Sequence, residues 1–546
     1  MRLIALTTLQ TARRARARAR AEDGFTMVVA LGVLLVTSLL LTGVFFALQG
    51  EVQSGTNDLS AKQAYAAATA GVQTYLYDLN QNPNYWGTCA NDSVGTTSVP
   101  GSSDGETFSY TPIYANGNTT CTSNVINSLV DTATGTIRLV FTGTAGRSPS
   151  LSRSIVVSFR MNSPLDFLWY TNYEALDSTI NGFSGCNVYY RAGRSSNCNI
   201  NWVTGDVING PMYTNDQYLI SGSPTFGRGP GDKIESNAPG TVAADICSGD
   251  SCGSAVIKGT AVPDAPYVAT PSDNSELLAD AQNYGNVFNG TTTVVLNNTT
   301  ANVVTCTTSS TSSCSSASVN LASQPIIYVN NQSGCSTTAG YSPFSVSYPN
   351  NGTGYYGCAG DVYVSGNYTT PVTIAAANNV IINGNITTNT DASGDPTGTA
   401  TLGLVANEFV RVMHGVSGGT NNGLSGCNES NVGSQTLTNP VIDAAILALN
   451  HSFIVDNFNC GVSPGVGGQP GTLTIHGAIA QDYRGAVGTG TAATGYLKNY
   501  NYDDRLANIL PPYLFDISNS GWHISRETIC VAGSTTTGSG CQSTTG

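Results

Sequence analysis

Charge is scarce in this chain: Asp, Glu, Lys and Arg make up 10% of its 546 residues, and there are four histidines, His414, His451, His476 and His523. So few and widely spaced imidazoles, together with the lack of any Cys-x-x-Cys pair, leave no ligand spacing for a structural zinc site. A phosphate-cradling Walker loop and a His-Glu-x-x-His helix are missing too. Glycoside hydrolysis needs two carboxylates facing each other across a groove. The nearest candidates, Asp482 beside Arg484 and Asp503-Asp504 beside Arg505, are sequence neighbours that read as solvated turns or caps. The segment Asn389-Thr-Asp391-Ala-Ser393-Gly394 begins like a calcium loop, but its twelfth position is Ala400, where a bidentate Glu is needed, so it reads as a turn. No catalytic residue, metal or cofactor is expected.

What the chain has in abundance is small polar residues. Gly alone contributes 61, and Thr, Ser and Asn fill most other polar positions, a mixture that suits short strands joined by tight turns. Fourteen cysteines follow one another at short separations as Cys89 and Cys121, Cys186 and Cys198, Cys247 and Cys252, Cys306 and Cys314, Cys335 and Cys358, Cys427 and Cys460, and Cys530 and Cys541. An even count at such spacings reads as seven local disulfides, which need an oxidising compartment, although sequence leaves the connectivity open.

The N-terminus points to the same compartment. Arg13, Arg14, Arg16, Arg18 and Arg20 alternate with alanine, and from Phe25 through Gly50 no residue is charged. As a helix this run spans about 39 Å, enough to cross the hydrocarbon layer of a bilayer. The arginines should hold its start in the cytoplasm, which places the rest outside. A secretory signal has a shorter apolar core and ends in a small-x-small site; a plain single-span anchor is the more serious alternative, and the junction before the run decides against it. Of the 21 basic and 34 acidic residues, six and two lie in residues 1–24, so the remainder carries 15 against 32, a net charge of −17. Such a body repels phosphate backbones, and nucleic acid is not an expected partner.

The junction Glu22-Asp23-Gly24-Phe25-Thr26-Met27 resembles the leader of type IV prepilins. The resemblance implies that a prepilin peptidase cuts after Gly24 and that the new N-terminal Phe25 is methylated. Val29 stands where the major pilins carry the fifth-position Glu that meets a neighbouring subunit, a departure more common in minor and tip pilins. Ala61, Ala64, Tyr65, Ala68, Val72, Tyr75, Leu76 and Leu79 recur at helical spacing, and Ala64 to Val72 is similar to the helix of PilX-like minor pilins. Proline disfavours helix in the residue before it, so this helix should end near Asn82-Pro83.

Beyond the helix, Ile137, Leu139 and Phe141, then Ile155, Val157 and Phe159, alternate as in an antiparallel hairpin. After Pro164 short apolar runs end in a polar residue and Gly: Asp206 to Gly210, Tyr218 to Gly222, Asp361 to Gly366, Val380 to Gly384 and Leu473 to Gly477. Their repetition without helical segments predicts an irregular β-solenoid (β-helix), with a large sandwich as the alternative. Tyr500, Tyr502 and Tyr513 are expected to cap its end, and Tyr189, Tyr190, Trp202, Tyr355 and Tyr356 either to lie exposed, where they stack on sugar rings or bury in a partner, or to pack in the core.

The expected fold is mainly β with a long N-terminal α-helix. Its divisions are a leader (1–24), a transmembrane and amphipathic helix (25–83), a small pilin-like β domain (84–162), a β-solenoid (163–528) and a disulfide-closed tail (529–546). The expected function is structural: a minor or tip pilin-like component of a type IV pilus or related filament, displaying an adhesive module at the cell surface. Its expected partners are the membrane, other pilin subunits, the peptidase and a surface ligand or glycan. The alternative is a membrane-anchored surface β-helix enzyme acting on polysaccharide.

Overall fold

The computed structural model describes residues 23–82, 85–115, 120–121, 129–131, 135–146, 151–161, 163–237, 247–248, 254–307, 314–335, 341–344, 346, 348, 357–416, 436–460, 470–489, 494–514 and 521–530. The leader before Asp23, and Cys252, Tyr355, Tyr356, Cys427 and Cys541, lie outside them.

Helix α1 (Asp23–Gln81) is a single element of 59 residues, continuous because its sequence is rich in Ala and Leu and holds no proline. Its second half buries Ala64, Ala67, Ala68, Val72, Tyr75 and Leu79 against an antiparallel sheet. Tyr65, expected on that face, is instead exposed and donates to Glu527. The sheet runs β1 (Val94–Ser98), β2 (Thr107–Pro112), β4 (Thr136–Thr144), β5 (Ser152–Met161), with β3 (Val130–Asp131) paired beside β4. The hairpin register sets Ile137, Leu139 and Phe141 opposite Phe159, Val157 and Ile155, all fully buried. The Tyr75 ring inserts among Tyr110, Phe141 and Phe159 at centroid distances of 5.1–6.2 Å. A Cβ on Gly143 would lie 2.0 Å from the Ala64 carbonyl oxygen, so glycine is what lets the helix backbone reach the sheet.

One strand of this sheet comes from the far end of the chain. Trp522–Ile529 pairs antiparallel with β5, Trp522 opposite Met161 and Ile529 opposite Ile155, and Asn80 of α1 bonds to the Trp522 backbone. The division at 162 and 528 is therefore corrected. Residues 522–529 complete the small sheet, and the large β body is an insertion between two adjacent strands. The pairing joins residues more than 350 apart, which no local periodicity encodes.

Within the body, ladders of parallel strands dominate. One runs Asn286–Asn289, Ile326–Asn330, Val372–Ala376, Leu402–Ala406, Val441–Ala448, Thr472–Tyr483, Trp169–Tyr173, Met212–Thr214, Lys233–Ser236, Thr260–Pro263. A second passes from Thr291–Asn298 through Val362–Tyr368, Val380–Thr387, the same two long strands, Leu497–Tyr502, Val207–Asn209 and Thr225–Phe226 to Val256–Ile257. A third joins Val380–Thr387, Val410–Val412 and Phe453–Val455. Their inward Ile, Val, Leu and Ala side chains form one buried column. The far end closes with an antiparallel hairpin, Thr300–Cys306 and Cys314–Asn320, laid beside Thr291–Asn298.

The stacking order differs from chain order. The chain enters the stack in the middle at Trp169, builds outward to Pro263, then crosses to the opposite end and builds back to Tyr502. The crossing segment is held at both ends of its course. The Ala265 amide donates to Ser236, the Pro266 and Val268 carbonyls accept from the Tyr213 and Tyr170 hydroxyls, and Asn274 bonds to Asn407, Ala376 and Tyr328. It ends in helix Ser275–Tyr284, which corrects the expectation of a helix-free body.

Two further expectations are corrected. Three of the five glycines read as turns lie inside strands: Val362–Tyr368, Val380–Thr387 and Thr472–Tyr483 continue through Gly366, Gly384 and Gly477. There they mark close approach, since a Cβ on Gly477 would sit 1.8 Å from the Ala444 carbonyl oxygen. Tyr500 is fully buried mid-stack opposite Ile208 rather than at an end.

Candidate functional site

The apolar first half of α1 holds the longest run of exposed large apolar side chains among the described residues. Every large apolar side chain from Met27 to Leu48 is exposed, while from Ala64 onward the same helix is packed on the sheet. Water does not stabilise such a surface, so a second apolar phase or another helix must cover it; its length is sufficient to cross a membrane. Gly24 and Phe25 fall in its first turn, and Val29 is exposed.

Disulfides join Cys89 to Cys121, Cys186 to Cys198, Cys306 to Cys314 and Cys335 to Cys358. Cys247, Cys460 and Cys530 are disulfide-bonded as well, and the cysteines expected opposite them lie outside the described residues. Each described bridge joins cysteines consecutive in the chain and so closes a local loop.

Along one corner of the stack, aromatic side chains line up. Neighbouring parallel strands lie about 4.8 Å apart, so rings at equivalent positions stack face to face. Tyr173 and Tyr483 are register partners with centroids 5.2 Å apart, Tyr189 stacks on the other face of Tyr173 at 4.9 Å, and Phe409 lies on His451 at 4.3 Å. Of the aromatics expected at the surface, Tyr189 and Tyr190 are half-buried, whereas Trp202 is fully buried.

Carboxylates gather in the same corner. His451 meets Asp177 through Nδ1 and Glu408 through Nε2, the latter at 2.8 Å. Burial opposes its charge, but hydrogen bonds to both carboxylates prevail and raise its pKa to about 9, so both ring nitrogens donate. Asp482 accepts from Asn172 at 2.8 Å. Burial raises its pKa to about 6, the hydrogen bond moderates the rise and the Asp177 charge adds to it. Asp177 also caps the short helix Ser178–Asn181. His451, Asp177, Glu408, Tyr173 and Tyr483 were not legible as a group. They come from residues 173–177, 408, 451 and 482–483, which meet only because the chain starts its stack in the middle.

Of the other singled-out charges, Asp503 and Arg505 stay together while the rest part company. Arg484 turns away from Asp482 into the interior toward Glu174, over the Trp202 ring. Asp503 pairs with Arg505 at 2.7 Å, and Asp504 pairs with Arg228 at 2.8 Å. The loop at Asn389 is a turn, closed by amides of Ser393 and Asp395 on the Asp391 carboxylate. A second buried cluster sets Arg411 bidentate on Asp456 at 3.0 and 2.9 Å, with the hydroxyls of Tyr341 and Tyr348 donating to the same carboxylate.

No protein-family model matches this chain, and no curated protein matches it. Three chains of solved structures do. One comes from the crystal structure of the competence-associated pilin ComZ from Thermus thermophilus, 12% identical, with a TM-score of 0.28 over 86% of this chain and 97% of that one.

Proposed function

We propose that this protein is a structural and interaction component of a type IV pilus or related surface filament, of the minor or tip pilin kind, and not an enzyme. The observation that carries the reading is the division of α1. Its first half is apolar and uncovered, and its second half is built into an antiparallel sheet. The uncovered half is the part that enters the membrane and then packs on other pilin subunits, and the sheet holds the remainder outside. The parallel ladders close into a β-solenoid that projects from that sheet as the display module. Disulfides fit an oxidising exterior. Val29, in place of the assembly Glu, favours a minor position over bulk fibre formation.

The test is mass spectrometry of the mature N-terminus from the native envelope. A methylated Phe25 in the wild type, absent in Gly24→Ala, is expected. An intact Met1 or a cut elsewhere leaves an anchored β protein and removes the peptidase from its partners.

A second reading, a polysaccharide-active enzyme, draws on the convergence of Asp482, Asp177 and Glu408, with Asp482 raised into the range of a general acid. Against it, Asp177 is committed to His451 and to a helix cap, so the nearest second carboxylate is not free to act as nucleophile or base. Release of reducing ends from a panel of acidic and neutral polysaccharides, lost in Asp482→Asn, would favour it.

A further inference from the structure

The strands at the far end of the stack carry no charge. From Ala281 through Gly360 the sequence holds no Asp, Glu, Lys, Arg or His, and this run supplies Asn286–Asn289, Thr291–Asn298, Ile326–Asn330 and the closing hairpin, Thr300–Cys306 and Cys314–Asn320. The body as a whole has a net charge of −17. Two such bodies repel each other where acidic surfaces meet, and these strands bring none.

Cys314–Asn320 is the outermost strand of its ladder. It pairs with Thr300–Cys306 and, among the described residues, with no other strand. Across this pair the Leu321 amide donates to the Thr299 carbonyl. Hydrogen-bonded and non-hydrogen-bonded positions alternate along an antiparallel ladder, so Ser315, Ala317 and Val319 bond inward, and the amides and carbonyls of Ser316 and Ser318 point off the edge. Ser315, Ser316, Ala317 and Ser318 are all exposed, so neither face of the strand is covered there. Ser316 stands opposite Val304 and Ser318 opposite Asn302; Val295, opposite Asn302 on the other side, is exposed on the same face, as is Val304.

An open edge is a template for another chain, and folded proteins guard such edges with charge, proline or bulges. Other edges of this molecule are guarded in that way. Strand β1 is bulged between Val94 and Thr97. Trp522–Ile529 carries Arg526 and Glu527 and is bulged between Ile524 and Arg526. Thr260–Pro263 ends in proline, and Asn286–Asn289 is four residues long with helix Ser275–Tyr284 against it. Cys314–Asn320 has seven residues, an unbroken register, and neither charge nor proline.

We propose that this strand is where the bodies of two copies of this protein associate, pairing antiparallel about a two-fold axis so that their hairpins form one continuous sheet. A two-fold contact needs a surface complementary to itself. An uncharged strand of Ser and Ala meets that need, because small side chains face small side chains and no like charges are opposed; a charged partner would find no ion pair here. The contact is small beside the ~1,600 Å² of a standard interface, so the dimer is weak and forms at high concentration. The assignment goes beyond the pilus reading and stands whether or not α1 enters a filament.

The experiment is sedimentation equilibrium of the purified full chain in density-matched detergent, with hydrogen exchange of residues 314–320 followed on the same samples. A monomer–dimer equilibrium is expected, with the Ser316 and Ser318 amides exchanging more slowly as the dimer fraction rises. Ser318→Lys brings two ammonium groups to the shared edge and should weaken the dimer at least tenfold, an effect partly relieved by salt. Ser316→Pro removes an outward amide without touching the bonds to Thr300–Cys306, and should weaken it at least tenfold at an unchanged melting temperature. A chain that stays monomeric at every concentration would leave the edge to another kind of partner, and a dimer of wild-type strength in both variants would place the contact elsewhere, α1 included. Either result overturns the proposal.

Discussion

At the scale of single residues, the stack corner at His451 behaves as an ion clamp between parts of the chain far apart in sequence. Asp177 belongs to the first segment laid into the stack, and Glu408 and His451 belong to the later ones. The folded pKa of His451, about 9, lies above its ordinary 6.5. Its contribution is therefore complete below pH 6.5 and lost as the pH rises through 9. Replacing it with Phe, which keeps the stack on Phe409, should cost on the order of 2 kcal/mol at pH 6 and much less at pH 10. Thermal unfolding of both proteins across that range measures the difference; a pH-independent gap would show that the ring stacks without bearing charge. Asp482 carries the same sign for a different reason. Its folded pKa of about 6 exceeds 3.8, so the fold favours the protonated acid and is penalised as the pH rises through 6. Asp482→Asn should stabilise by about 1 kcal/mol at pH 8 and change little at pH 4.

At the scale of elements, the sheet that receives α1 depends on two contacts that sequence reveals unequally. The alternation of Ile137, Leu139 and Phe141 with Ile155, Val157 and Phe159 is a period of two, so the hairpin and its buried face were readable directly. The helical spacing of Ala64, Ala68, Val72, Tyr75 and Leu79 was readable in the same way. Gly143 was not, since nothing local says that a helix backbone will pass within van der Waals contact of it. Gly143→Val should separate α1 from the sheet and destabilise it by about 2–3 kcal/mol, and Tyr75→Ala should cost about 3–5 kcal/mol. Chemical denaturation checks both. The strand Trp522–Ile529 was hidden for another reason: its partner β5 is remote, and its own pattern is largely exposed. The aromatic corner and the pairing of Arg484 with Glu174 share that cause, because stacking order departs from chain order, so residues 169–209 meet residues 472–489 and 497–502 with no periodic signal. The glycines misread as turns belong here too, for in a long strand between close neighbours the missing Cβ makes room and does not reverse the chain.

At the scale of the whole molecule, the body leaves the small sheet after Met161 and returns at Trp522, and these two residues are paired across adjacent antiparallel strands. An insertion with its ends that close should be separable from its host, since a two-residue turn is all that is needed to join such strands. Replacing residues 162–521 with an Asn-Gly turn should leave α1 and the sheet folded, membrane-associated and competent for whatever cleavage occurs at Gly24. The sheet keeps Asn80 bonded to Trp522 and Tyr65 to Glu527 in this variant. Cutting the chain after Leu514 instead should do the opposite, leaving the body intact while β5 becomes an open edge whose amides exchange faster with solvent. Hydrogen exchange of residues 152–161 in the two variants distinguishes the outcomes. Protection retained in the first and lost in the second means that the small sheet is the host unit and the stack its cargo. Loss in both means that the stack itself holds the sheet together, through contacts such as Arg160 on the Leu506 and Ala507 carbonyls, and that force applied to the body would reach α1 through a rigid joint and not through a hinge.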